Sequence, residues 1–175
     1  MRRLLVLGAV AAALAGCSAT ETGEQDQSPA PSAPVRTSAT APPEPEPVAD
    51  GPCPYLDTDE VSQSNGQQVA QVRLSADEPH PSCFFYRPDG EMQLTVRVYV
   101  GDPKVAMAIV DEAAPVDTSN PTSQPAGWEG GYESTDEGAV YAVAKDGSAV
   151  IVTTNQQQSV KARSVATQAI SGLGI

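Results

Sequence analysis

The sequence predicts an α+β domain: an antiparallel sheet of about five to six strands with two or three helices packed on it. Three observations carry this expectation. Period-two alternation marks strands, most clearly where Met92, Leu94, Val96, Val98 and Val100 alternate with Gln93, Thr95, Arg97 and Tyr99. Turn signals at Pro88-Asp89-Gly90 and Asp146-Gly147 join neighbouring runs by connections far too short for a parallel crossover. Segments with apolar residues at helical spacing, each behind a capping residue, interrupt the strands and give the order helix, strands, helix, strands, helix.

After Cys53-Pro-Tyr-Leu56, Asp57 is placed to cap a short helix over residues 58–64, with Glu60 in the reciprocal position and Gly66 as its stop. Residues 69–74 form the first strand, with Ala70, Val72 and Leu74 on one face and Gln71 and Arg73 on the other. A loop, Asp77-Glu-Pro-His-Pro-Ser82, leads to a second strand over 83–87 and, beyond the Pro88-Asp89-Gly90 turn, to a third over 92–100. Asp102-Pro103 is a cap followed by a proline at the first helical position. Val105, Ala106, Ile109, Val110 and Ala113 then share a helical face, and the helix must end before Pro115.

Residues 115–126, PVDTSNPTSQPA, read as a long polar loop of the kind that is often functional or mobile. Strands follow over 128–134, 139–145 and 149–154. Ser159 is expected to cap a last helix to about residue 170, with Ala162, Val165, Ala166, Ala169 and Ile170 facing inward.

The N-terminal part has a different character. Arg2 and Arg3 precede eleven apolar or small residues, 4–14, too few to span a bilayer, which takes about 20. Small residues Ala15 and Gly16 complete a signal peptide over 1–16. Leu14-Ala15-Gly16-Cys17 resembles the lipobox of bacterial lipoproteins. That resemblance implies cleavage before Cys17, lipidation of its sulfur, and anchorage on the extracytoplasmic face of the cell membrane, since two or three acyl chains attach stably where one does not. Residues 18–52 are rich in Pro, Ser, Thr and Ala, with six acids, one base and no aromatic residue. With nothing to bury, 17–52 is expected to be a lipidated cysteine and a disordered, partly polyproline-like tether, reaching about 30 to 35 Å as a coil. A single domain is expected over 53–175.

Seven Lys and Arg face sixteen Asp and Glu within 53–175, and the whole chain carries −12. Such a balance disfavours nucleic acid, which needs clustered bases, and serves solubility. With Cys17 assigned to lipid, Cys53 and Cys83 remain in a compartment where thiols oxidise, and a disulfide closing a loop of about 31 residues is expected. The alternative, a redox or metal pair, has neither a nearby histidine nor a recognised ligand spacing. No cofactor and no metal site are expected.

Chemistry-bearing candidates are few. His80, the one histidine, lies between prolines with no nucleophile turn elsewhere in the sequence, and reads as an exposed loop residue. Asp57, Asp59 and Glu60 lack the spacing of a calcium loop. The most distinctive segment is Pro125-Ala-Gly-Trp128-Glu-Gly-Gly131-Tyr132. An exposed indole among glycines can stack on a sugar or an apolar group, with Tyr132 beside it, whereas a buried one marks a strand start. Gln156, Gln157 and Gln158 offer amides for a polar groove, or form a plain strand-to-helix loop.

Cys53-Pro-Tyr-Leu56, Pro81-Ser-Cys-Phe-Phe-Tyr86, the segment 125–131 and Thr154-Asn-Gln-Gln-Gln-Ser-Val-Lys-Ala162 together resemble an actinobacterial cell-envelope lipoprotein family whose single domain is of unknown function. The resemblance implies an envelope setting and Cys17 as the lipidation site, and brings no catalytic residue. The expectation is a non-enzymatic, membrane-tethered binding or accessory domain acting on an envelope protein or glycan. The alternatives are a binder of a small lipid or glycan, which predicts a pocket at a helix–sheet junction or beside Trp128, and a hydrolase built on His80.

Overall fold

A computed structural model describes residues 39–175. The expected signal peptide, Cys17 and most of the expected tether lie outside the described residues. Eight antiparallel strands form one open sheet in the order β1-β2-β3-β4-β8-β7-β6-β5. They are β1 (Ala49–Asp50), β2 (Gln71–Leu74), β3 (Cys83–Tyr86), β4 (Met92–Val100), β5 (Asn120–Thr122), β6 (Glu129–Ser134), β7 (Ala139–Lys145) and β8 (Ser148–Thr154). Two four-stranded meanders meet where β4 pairs with β8. Three helices pack on the sheet: α1 (Thr58–Asn65), α2 (Pro103–Ala113) and α3 (Ser159–Leu173).

The class is α+β, as the patterning predicts, but the sheet has eight strands instead of five or six. The two additions are its edges. β1 has two residues and lies within the expected tether; β5 has three, lies within the expected loop, and pairs Pro121 with Gly131. Short strands and a proline suit an edge, because an edge N–H needs no ladder partner and an interrupted edge resists pairing with other chains.

Both faces of the sheet are covered, so β7 and β8 are apolar almost throughout. On one face α1 and α3 enclose the main core, in which Phe85, Leu94, Val96, Tyr141, Val143, Val150 and Val152 meet Val61, Val165 and Ala169. On the other, Ala106, Ile109 and Val110 of α2 sit on Ala142, Ala144, Ala149 and Ile151. The small residues let the helix approach closely. Gly131 serves the same approach, since a Cβ there would meet the Ser119 hydroxyl and the Ala114 methyl. The Trp128-flanking glycines thus accommodate the chain's own packing.

The helix ends follow the expected signals in two cases. Asp57 caps α1 by accepting from the Asp59 amide at 2.7 Å, and Gly66 closes it in the left-handed region at φ 74°. Asp102 caps α2 by accepting from Lys104 and Val105. At α3 the cap position falls to Gln158, which makes no side-chain cap bond, and Ser159 is already helical.

Cys53 and Cys83 form a disulfide with Cα atoms 5.7 Å apart. It ties the start of α1 to the second core strand. Beside it the buried Tyr55 hydroxyl donates to the Pro81 carbonyl at 2.8 Å. Burial, with the Asp77 charge adding to it, pushes this phenol well above its ordinary pKa and keeps it a donor.

β4 departs from strict alternation at one point. Phe85 pairs with Leu94 but Tyr86 pairs with Met92, so Gln93 is a bulged residue with no opposite number. The bulge turns the fully buried Gln93 toward α1, where Asn65 Nδ2 donates to its Oε1 at 2.9 Å. It also puts Met92 on the α2 face, although simple alternation assigns it to the face of Leu94.

Candidate functional site

The α2 face of the sheet is only half covered by helix. α2 lies over β6, β7 and β8. The β3–β4 half is crossed instead by residues 41–47, APPEPEP, which would belong to the tether if that ran to residue 52. Its prolines explain the arrangement. Pro42, Pro43, Pro45 and Pro47 have no N–H, so the segment cannot extend the sheet as a strand, and pairing begins only at Val48, whose amide donates to the Leu74 carbonyl at 2.8 Å. The strap is held at its other end by Arg97, whose Nη2 donates to the carbonyls of Pro42 at 2.8 Å and Pro43 at 3.0 Å.

Between strap and sheet is a groove of about 380 Å³. Glu44, Pro45 and Pro47 roof it, Ile109, Glu112 and Ala113 of α2 form one wall, and Phe84, Tyr86, Met92, Thr95, Arg97 and Thr153 form the floor. That volume lies within the usual range for small-ligand sites, and a mostly apolar lining with a few polar groups is the usual composition.

Two polar groups here are unusual. Arg97 is half-buried, yet no carboxylate lies within salt-bridge distance of it among the described residues; the two ion pairs found there are Arg73 with Asp50 and Arg87 with Asp89. Ser82 is 1% exposed, lines the groove, and its hydroxyl has no hydrogen-bond partner. The register that pairs Cys83 with Val96 sets Ser82 opposite Arg97 on the same face.

A larger hollow, about 560 Å³, lies between the other side of α2 and β5–β6. Its charged lining residues are Asp111 and Glu129, it has no base, and Val116 on its rim is 82% exposed. It brings together no unsatisfied donor. The strapped groove is therefore the better candidate despite its smaller size.

A family model described as a domain of unknown function, DUF2020, matches residues 36–175. The chain belongs to the DUF2020 family. The DUF2020 match starts before the strap and before the expected boundary at residue 53. No curated protein matches the chain.

The structure does not gather the sequence-derived candidates of this DUF2020 chain into one site. Trp128 is 2% exposed in the main core and offers no indole face to a ligand. Tyr132 stacks on Tyr141 with ring centroids 6.4 Å apart, and both line a small hollow of about 130 Å³ with Arg163. The amides are used internally: Gln156 Oε1 accepts from Lys161 Nζ at 2.8 Å, Gln157 donates to the Asp136 carbonyl at 2.9 Å, and Gln158 precedes α3. His80 is half-buried in its loop, outside the bonded set of Ser75, Asp77 and Ser82. Among the described residues no three His, Cys, Asp or Glu side chains lie together as a metal site.

Sequence reading misses the groove because its parts are scattered over the strap, β3, β4 and α2. The available signal was Arg97, a base at an apolar-flanked strand position in an acidic chain.

Proposed function

We propose that this protein is a membrane-anchored, extracytoplasmic lipoprotein whose domain binds a small amphipathic ligand in the strapped groove and performs no chemistry on it. The address rests on the signal-like residues 1–16 and the lipobox resemblance ending at Cys17. No helix of the described residues is long and apolar enough to cross a membrane. The binding role rests on one observation: an apolar cavity roofed by the chain's own proline-rich strap, with a guanidinium on its floor paired to carbonyls alone.

Decanol is a suitable neutral probe, because the groove holds about a dozen water-sized groups. Titrating decanol into the full chain carrying Cys17→Ala, followed by amide NMR, is expected to give saturable shifts at Phe84, Thr95 and Ala113. Thr95→Trp, which fills the groove from its floor, is expected to abolish them while the far-UV spectrum stays unchanged. Shifts that are absent, or that survive Thr95→Trp, would remove the groove as a binding site.

A further inference from the structure

We infer that the ligand is a single-chain anionic amphiphile, with its acidic head between Arg97 and Ser82 and its chain along Phe84, Thr95 and Met92. This rests on the groove being a binding site, and adds the ligand's chemical class and orientation.

The sheet register orders the floor in rows. Ser82 and Arg97 form the first row, Phe84, Thr95 and Thr153 the second, and Tyr86 with Met92 the third. The one cationic donor on the floor thus lies at one end, beside Ser82, while the other rows carry the larger aromatic and thioether surface with the neutral hydroxyls of Thr95, Thr153 and Tyr86. From Arg97 to Met92 the strand covers roughly 15 Å at about 3.3 Å per residue, the length of a medium alkyl chain.

At the polar end the Ser82 hydroxyl has no partner among the described residues, and Arg97 donates to neutral carbonyls alone. A buried hydroxyl without a partner destabilises a fold, and such groups are rare enough to call for a reason. A guanidinium is built for two-oxygen acceptors, and two successive prolyl carbonyls are a neutral substitute for a carboxylate or phosphate. An acidic head would take Arg97 from the strap carbonyls and accept from Ser82 as well. Glu44 and Glu112 also line the groove. Neither lies within salt-bridge distance of Arg97, so its charge is left for an acidic head.

The test compares decanoate, decyl phosphate and decanol on the full chain with Cys17→Ala. Either anion is expected to bind at least about tenfold tighter than decanol, since a charge-assisted bond adds about 1.5 kcal/mol or more. Arg97→Gln is expected to erase that advantage. Ser82→Ala provides a control independent of the strap: it removes an unsatisfied hydroxyl, so stability should hold or rise while affinity for the anions falls about threefold or more. Which anion binds more tightly distinguishes a carboxylate head from a phosphate head. Equal binding of decanol and both anions, or an anion preference that persists in Arg97→Gln, would overturn the inference and leave the groove standing. No binding of any of the three would overturn both.

Discussion

Replacing both Cys53 and Cys83 by alanine is expected to lower the free energy of unfolding by about 3.5 to 4 kcal/mol. The bridge joins residues 30 apart, and the chain-entropy relation for a loop of that size gives this value. The closed loop contains α1 and β2. β2 is held on its outer side only by the two residues of β1, and α1 packs chiefly on α3. Opening the loop should therefore release this part first, with amide exchange of Val61 and Val72 rising toward the global rate while Val150 and Val152 remain slower. For a domain of this size the midpoint of thermal unfolding should fall by roughly 10 to 15 °C. Equal stability of the oxidised wild type and the double variant would show that the bridge contributes nothing.

The second large effect is expected at Asn65. This residue is fully buried and joins α1 to three elements: its side-chain Nδ2 donates to Gln93 of β4, its Oδ1 accepts from Thr154 of β8 at 2.6 Å, and its backbone carbonyl accepts from Lys161 of α3 at 2.9 Å. Gln93 in turn donates to the Gln68 carbonyl at 2.9 Å. Asn65→Leu keeps the number and branching of the side-chain heavy atoms, though not their volume, and it strands the Gln93 carbonyl oxygen and takes the acceptor from the Thr154 hydroxyl, at buried sites. The expected cost is about 2–4 kcal/mol, measured by urea unfolding. Adding Gln93→Leu should restore part of that, because removing both partners leaves fewer orphans than removing one. A single variant within about 0.5 kcal/mol of wild type would mean that water reaches the network.

Much of the fold was legible in the sequence where local signals and tertiary context agree. Asp57, Gly66 and the Asp102-Pro103 pair act as written, and the Asp146-Gly147 turn joins β7 to β8. What escaped depended on partners distant in sequence. β1 and β5 are too short to alternate, and proline marks their surroundings as loop; only the neighbouring strands make them strands. The bulge at Gln93 is invisible in a run that alternates cleanly, because it shows only in the pairing with β3, where Phe85 and Tyr86 face Leu94 and Met92.

The candidate site was less legible for the same reason. Trp128 and the glutamine run stand out by composition, yet the fold spends them on the core and on local bonds. Arg97 and Ser82 are ordinary residues in ordinary contexts until β3 and β4 pair. The strap is hard to read from sequence because proline-rich composition predicts a segment with nothing to bury. It does not predict a segment whose carbonyls are held by an arginine from below.

The proposed extracytoplasmic setting, and with it the proposed envelope ligand, rests on Cys17 being lipidated. The most direct measurement is the intact mass, with N-terminal peptide sequencing, of the protein extracted by detergent from its native membrane. The account predicts a chain that begins at Cys17 and carries the added mass of two or three acyl chains on that residue. A chain that begins at Met1 with an unmodified Cys17 thiol, recovered without detergent, would contradict it.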